Sequence, residues 1–244
     1  MTRLQSRILS LVIIIGGMSA GGWPIAGQTT PPSVTKANDK QPALKPGQID
    51  PEKSRVYIHV SKKRLGHDHA IEGRIKSGSI NLKTDKSTAK EAGLIEFDLG
   101  SFSADTDAAR KYVELKGAIA EATREQVTET MLGSDVLDVE QFPRATFKIK
   151  SAELRSAKNG DPVYTLQGDF TLHGKTRPLS LSTQSELQDG KVRRLRGDFT
   201  ILQSDFGITP YKAALGTVGV ADELKIWGDI WIVVEDPAGK KERK

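Results

Sequence analysis

From about residue 49 onward the chain alternates apolar and polar side chains with a period of two. That spacing suits extended strands that bury one face and expose the other. The C-terminal stretch is the cleanest case: Leu224, Ile226, Gly228, Ile230, Ile232 and Val234 share one parity, and Lys225, Trp227, Asp229, Trp231 and Val233 share the other. Val56, Ile58 and Val60 alternate with Tyr57 and His59, and Ile71, Gly73 and Ile75 line up within a segment from Ala70 to Leu82 that Gly78 interrupts. Leu94 to Leu99 forms a third strand, and Phe147 with Ile149 marks a fourth. A fifth, Val163 to Leu172, carries Tyr164, Leu166, Phe170 and Leu172 on one face. Leu179 with Leu181 marks a sixth, and Leu195, Phe199 and Ile201 a seventh. Asn159-Gly160 and Asp189-Gly190 supply hairpin turn chemistry. About eight strands without a repeating βα unit predict an all-β fold, and closing them into an antiparallel barrel removes the exposed edges that attract other chains.

One segment breaks the period. Between about residues 106 and 133 the chain mixes Ala108, Ala109, Tyr112, Val113, Leu115, Ile119, Val127 and Met131 with many charged residues. This is helical composition with an imperfect apolar stripe, interrupted at Gly117; Asp105 or Thr106 would cap its start and Gly133 its end. Such a helical insertion fits a place across one barrel mouth, and it fits plain packing on the outer surface equally well.

The ends read differently. Arg3 and Arg7 precede an apolar or small-residue run from Ile8 to Gly17. Ten such residues are too few for a ~30 Å hydrocarbon core, which takes about 20, but they suit the centre of a secretion signal. Residues 1–26 are therefore expected to be a signal peptide, cut after Ala20 or Ala26, rather than an uncleaved anchor. Residues 27–48 are rich in Pro, Thr, Lys and Gln and read as a linker. The barrel domain is expected over 49–236, followed by a solvated charged tail at 237–244. No later stretch is long and apolar enough to span a bilayer, so localisation is expected to be periplasmic or secreted.

Charge narrows the partners. The formal net charge is +5; without Arg3 and Arg7 the balance is 34 basic against 31 acidic residues, and the signs alternate along the chain. With only 6% aromatic residues, base-stacking platforms are scarce, and no nucleic-acid partner is expected. The chain has no cysteine, which excludes disulfides, thiolate metal sites and a cysteine nucleophile.

Four blocks in the second half of the domain carry a family resemblance. Val136-Leu137-Asp138-Val139-Glu140-Gln141-Phe142-Pro143-Arg144-Ala145-Thr146-Phe147 is followed by Gly168-Asp169-Phe170-Thr171-Leu172-His173-Gly174-Lys175-Thr176-Arg177-Pro178. Ser204-Asp205-Phe206-Gly207 and Val220-Ala221-Asp222-Glu223-Leu224 complete the order. In sequence and spacing these resemble the signature blocks of the YceI-like family. The resemblance spans about Ile49 to Val234 and implies a lipocalin-like, eight-stranded antiparallel barrel. It also implies binding of a polyisoprenoid chain in an elongated apolar cavity, in an exported bacterial protein. Two departures stand out: the segment from Thr106 to Gly133 is longer than the usual connection, and Phe170 stands where leucine is commoner.

The inward parity nominates lining residues for such a lumen: Phe147, Ile149, Leu166, Phe170, Leu172 and Leu179 from the middle strands, and Leu181, Phe199, Ile201, Ile226, Ile230 and Ile232 from the later ones. The same side chains could instead close-pack as a dry core. No cofactor is required by this reading, although the guest could be an isoprenoid lipid or a quinone with an isoprenoid tail. Gly174 is expected to supply a positive φ at a tight turn that His173 could hydrogen-bond, and Asp205 to make a bend that tucks Phe206 inward. The most individual motif is Gly66-His67-Asp68-His69. Residues two apart on a strand share a face, so His67 and His69 could present two imidazoles to zinc or copper; spacing shows no evident third ligand, although His59 or Glu72 could reach. The alternative is a polar hairpin in which Asp68 bonds nearby backbone or an imidazole. Asp105 and Asp107 read as solvated members of the insertion. With no G-x-S-x-G, P-loop, H-E-x-x-H or G-x-G-x-x-G pattern, a binding protein is expected rather than an enzyme. A barrel that binds only protein partners is the remaining class.

Overall fold

The computed structural model describes residues 43–83, 89–158 and 161–234. The expected signal peptide, most of the linker, the charged tail and the Asn159-Gly160 turn lie outside them.

Eight strands pair in sequence order, and the last closes on the first. They are β1 (Arg55–Lys62), β2 (His69–Ile80), β3 (Ala89–Ala104), β4 (Arg144–Lys158), β5 (Asp161–Leu172), β6 (Lys175–Gln188), β7 (Val192–Leu202) and, after the two-residue β8 (Lys212–Ala213), β9 (Val218–Val233). The closing ladder sets Val56 opposite Gly228 and Ile58 opposite Ile226, antiparallel, with a bulge between Val60 and Lys62. Further bulges in the β2–β3 and β4–β5 ladders supply the local bending that closure needs. The expected closed, eight-stranded antiparallel barrel is borne out. The parities hold too: Tyr164, Leu166, Phe170 and Leu172 are buried along β5, and Leu224, Ile226, Ile230 and Ile232 along β9.

Turns follow local backbone chemistry. His173 and Gly174, at φ 49° and 70°, join Leu172 to Lys175 in the doubly left-handed form that matches strand twist. The His173 ring tilts against Phe142 with centroids 4.4 Å apart. Asp205 lies in a 3-10 turn over Gln203–Phe206, which ends at Gly207 with φ 76° and leaves Phe206 buried, as expected.

The insertion is two helices rather than one. Helix α1 (Asp107–Tyr112) starts at Thr106, whose Oγ1 accepts from Ala109 N, and α2 (Glu121–Leu132) ends at Gly133. Between them Arg110 draws the chain out of helical geometry, because its guanidinium donates to the carbonyls of Lys116 (2.6 Å) and Gly117 (2.9 Å). The two helices divide the two expected placements. Helix α1 lies on the outer wall, with Tyr112 stacked on Tyr57 of β1 at 3.9 Å. Helix α2 lies over one pole, where Val127 and Met131 face the interior.

The opposite pole is filled. Ile49, Ile80, Ile149, Tyr164 and Ile232 are each no more than 2% exposed. Residues 47–50 stitch across it: Gly47 N donates to Val233 O, Ile49 N to Gly78 O and Asp50 N to Trp231 O.

Gly73 allows a close approach, since a Cβ there would overlap the Phe102 ring. Gly73→Ala is expected to lower unfolding free energy by about 1–3 kcal/mol in urea titrations, because the ring must leave its place in a packed wall.

Candidate functional site

Between α2 and the middle of the barrel lies a cavity of about 320 Å3. Strand β1 contributes Val56, Ile58 and Val60, and α2 contributes Val127 and Met131. Leu65, Tyr211 and Val218 also line it and are exposed, so the space opens to solvent at this pole. The described residues that line it include no lysine, arginine, aspartate or glutamate, and His67, His69 and Tyr211 are the titratable groups among them. A void of this size falls at the lower end of the range for small-molecule sites.

A second space, of about 50 Å3, lies deeper. Val56, Phe97, Phe170 and Phe199 line both, and Phe170 is the centre of the partition. Its ring meets Phe97, Phe199 and Phe206 edge-on, with centroids 6.1, 5.9 and 5.6 Å apart. Each such contact contributes about 0.5–1.5 kcal/mol beyond its area burial, so the partition is a stable feature.

This geometry sorts the nominated lining residues. Leu172, Ile201 and Ile226 line the outer chamber, and Phe147, Leu166, Leu179, Leu181 and Ile230 the inner one. Phe170 and Phe199 line both. Ile149 and Ile232 line neither chamber; they belong to the filled pole, where Ile232 bridges to Ile49. Strand parity separates inside from outside but carries nothing about height along the barrel axis. For the same reason Val56, Ile58 and Leu99 escaped nomination, although the alternation did place Val56 and Ile58 on an inward face; Met131 lies on α2, whose sequence fits the mouth and the outer surface equally.

The mouth carries a polar cluster. Asp68 points to the outer side, where Oδ2 accepts from His59 Nε2 (3.0 Å) and Oδ1 from Lys62 N (3.0 Å). Its neighbours His67 and His69 face the cavity with ring centroids 4.5 Å apart. The group that joins them is Asp105, and neither His59 nor Glu72: His59 is engaged with Asp68, and Glu72 lies on the opposite parity from Ile71, which lines the cavity. The Asp105 side chain is fully buried, which corrects its reading as a solvated surface acid; Asp107 does stand in solvent. Oδ2 accepts from His69 Nδ1 (2.7 Å), and Oδ1 accepts from Arg110 Nη1 (2.7 Å) and Ala70 N (3.1 Å). Asp105 itself adopts φ 53°, a left-handed conformation that Asp tolerates better than most residues.

Burial acts to raise the Asp105 pKa, but hydrogen bonds from His69, Ala70 N and Arg110 outweigh it and hold the carboxyl below its ordinary value. Asp105→Ala is expected to cost about 3–5 kcal/mol at pH 7, because it leaves Arg110 buried without its counter-charge. A carboxyl with a depressed folded pKa stabilises fully above its unfolded value, here 3.8, and the contribution is lost as pH falls through the folded value. Urea titrations of both proteins should show a gap that narrows as pH falls below the unfolded value.

A closed antiparallel barrel, hollow and apolar in its outer half and open at one pole, has the architecture by which lipocalin-like proteins enclose small molecules. The YceI-like domain model matches residues 48–230, and the chain belongs to the YceI-like family. A UPF0312 protein of Pseudomonas putida strain F1 is 30% identical over 166 residues, covering 66% of this chain and 75% of that protein. Another, from Pseudomonas savastanoi pv. phaseolicola, is 31% identical over 117 residues, covering 45% and 59%. Among solved structures, BcnA of Burkholderia cenocepacia superposes with a TM-score of 0.50 at 20% identity, over 75% of this chain and 98% of its own. A polyisoprenoid-binding domain from Saccharophagus degradans, implicated in plant cell wall breakdown, gives a TM-score of 0.50 at 12% identity, over 78% and 100%. At those identities the likeness is one of fold.

Proposed function

We propose that this protein is an exported carrier or reservoir that holds one apolar chain of isoprenoid type in its barrel, and that it binds its guest without turning it over. The observation that carries this reading is the apolar chamber of about 320 Å3, open at the α2 pole, in a YceI-like barrel. Burying apolar surface supplies the driving force, about 0.8 kcal/mol for each CH2-sized group. A five-carbon isoprene unit therefore gains about 4 kcal/mol before ordering costs, and no charged anchor is needed. The S. degradans polyisoprenoid-binding domain of the same fold supports the ligand class. Export rests on Arg3, Arg7 and the apolar run from Ile8 to Gly17; among the described residues no helix is long and apolar enough to cross a membrane.

The partition adds a length rule. With Phe170 in place, a guest fills the outer chamber and any further length lies past the rim at Leu65, Tyr211 and Val218. Phe170→Leu joins the chambers and is expected to move the preferred chain length upward in competition assays with prenols of graded length, while costing about 1–3 kcal/mol of stability.

Gentle isolation of the full chain, solvent extraction and mass spectrometry should recover one apolar lipid per protein. Met131→Trp, a change on α2 that fills the opening, should abolish that recovery in a variant that remains folded by circular dichroism. Lipid-free wild-type protein that also fails to take up prenols from solution would sink the proposal.

A further inference from the structure

We propose a transition-metal site at the cavity mouth, in which His67 and His69 ligate one zinc- or copper-type ion and Asp105 positions the His69 imidazole. Ligand atoms of His67, His69 and Asp105 all lie within 4.8 Å of one another, close enough for small side-chain adjustments to bring them around one centre. The hydrogen bonds decide which of these groups ligate. Asp105 already accepts three, from Ala70 N, Arg110 and His69, and the Arg110 cation sits against Oδ1. The carboxylate is therefore poorly placed to take a cation directly.

Its effect falls on His69 instead. A carboxylate oxygen accepts, so the 2.7 Å contact with Asp105 Oδ2 takes up His69 Nδ1 as donor and leaves Nε2 as the ligand atom. No hydrogen bond engages Nε2 among the described residues. A carboxylate behind a histidine, fixing tautomer and ring orientation, is the usual support of a metal-bound imidazole. Here the support is complete before any ion arrives, because Arg110 and Ala70 N hold the carboxylate in place. His67 supplies the second nitrogen and is exposed, which gives an ion access from solvent. Asp68 fixes the alternation of the motif by turning outward to His59 and Lys62 N, so both imidazoles fall on one side. No lysine or arginine is among the described residues lining the cavity, and Arg110, behind the cluster, is paired with Asp105.

Two nitrogen ligands suit zinc or copper and are poor partners for magnesium or calcium. They leave two positions of a tetrahedral ion for water or for an oxygen-bearing end of a cavity guest. The site stands apart from the lipid reading, because it needs only the rim residues.

Calorimetric titration of the full chain with Zn2+ and with Cu2+, against Mg2+ as the hard-cation control, tests it. One ion per chain is expected, with at least a tenfold preference over Mg2+. His67→Ala, at an exposed position, should abolish saturable binding while the thermal midpoint changes little, and His69→Ala should abolish it at a lowered midpoint, because the buried Asp105 loses a donor. Asp105→Asn should weaken affinity by about 10–100-fold. In 15N NMR the metal-free wild type should show His69 protonated at Nδ1 alone, and Asp105→Asn should mix the tautomers, a change that a purely structural role for Asp105 would not produce. Equal zinc binding by wild type and by the His67→Ala/His69→Ala double variant, or no binding by the wild type, overturns the site whatever lipid the barrel retains. Should Asp105→Asn fail to fold, the histidine variants decide alone.

Discussion

The pairing of β1 with β9 is the contact on which the rest depends. Residues about 170 positions apart must meet in one register, with Val56 against Gly228 and Ile58 against Ile226. Until they do, the alternating strands have an apolar face but no interior, and both edges present unpaired N–H and C=O groups. Closing so long a loop costs entropy before any contact repays it, so the ladder has to be backed by packing. The segment over 47–50 supplies some of that backing by clamping β2 to β9 next to the seam, through Gly78 O and Trp231 O. Ser54 adds another tie, its Oγ accepting from Trp231 N at 2.9 Å.

Once closed, the barrel is neither a dry core nor an open tube. Its inner end holds Ile49, Ile80, Ile149, Tyr164 and Ile232, and its outer end is hollow beneath α2. Phe170, with Phe97 and Phe199 packed against its ring, separates the two regimes. Stability and binding thus draw on the same inward parity at different heights: the filled pole holds the barrel shut, and the outer chamber can afford empty volume. The polar groups of the mouth follow the same division. The Asp105 cluster ties β2, the end of β3, α1 and the Lys116-Gly117 turn together, which makes the rim stiff where the cavity leaves it without filling.

How much of this the sequence carried depended on the range of the interaction. The alternation of Leu224 to Val234 placed β9 and its buried face correctly, because strand parity is a local property. Thr106 and Gly133 marked the ends of the insertion for the same reason. Gly117 marked its break, although the cause, Arg110 bonding the carbonyls of Lys116 and Gly117, lay in a fold-back that no local pattern reports. The family blocks gave the barrel, but they could not say which inward residues sit at which height, so Ile149 and Ile232 were nominated alongside residues that do line a chamber. Asp105 was misread outright. An acid between a strand and a helix looks solvated until the strand end is seen turning onto Ala70 and His69. The one trace in the sequence is Arg110, five residues on, whose charge has its partner there.

The stitch between Gly47 and Val233 has a practical consequence. The first described residues that touch the barrel and the last strand leave it side by side at the sealed base, while the β1–β2 hairpin at Leu65, α2 and the start of β9 at Val218 lie at the opposite rim. A tag, bead or surface linked beside Gly47 or Val233 would therefore hold the barrel like a cup by its foot, opening outward. Grafts into the hairpin at Arg64-Leu65 would obstruct the brim.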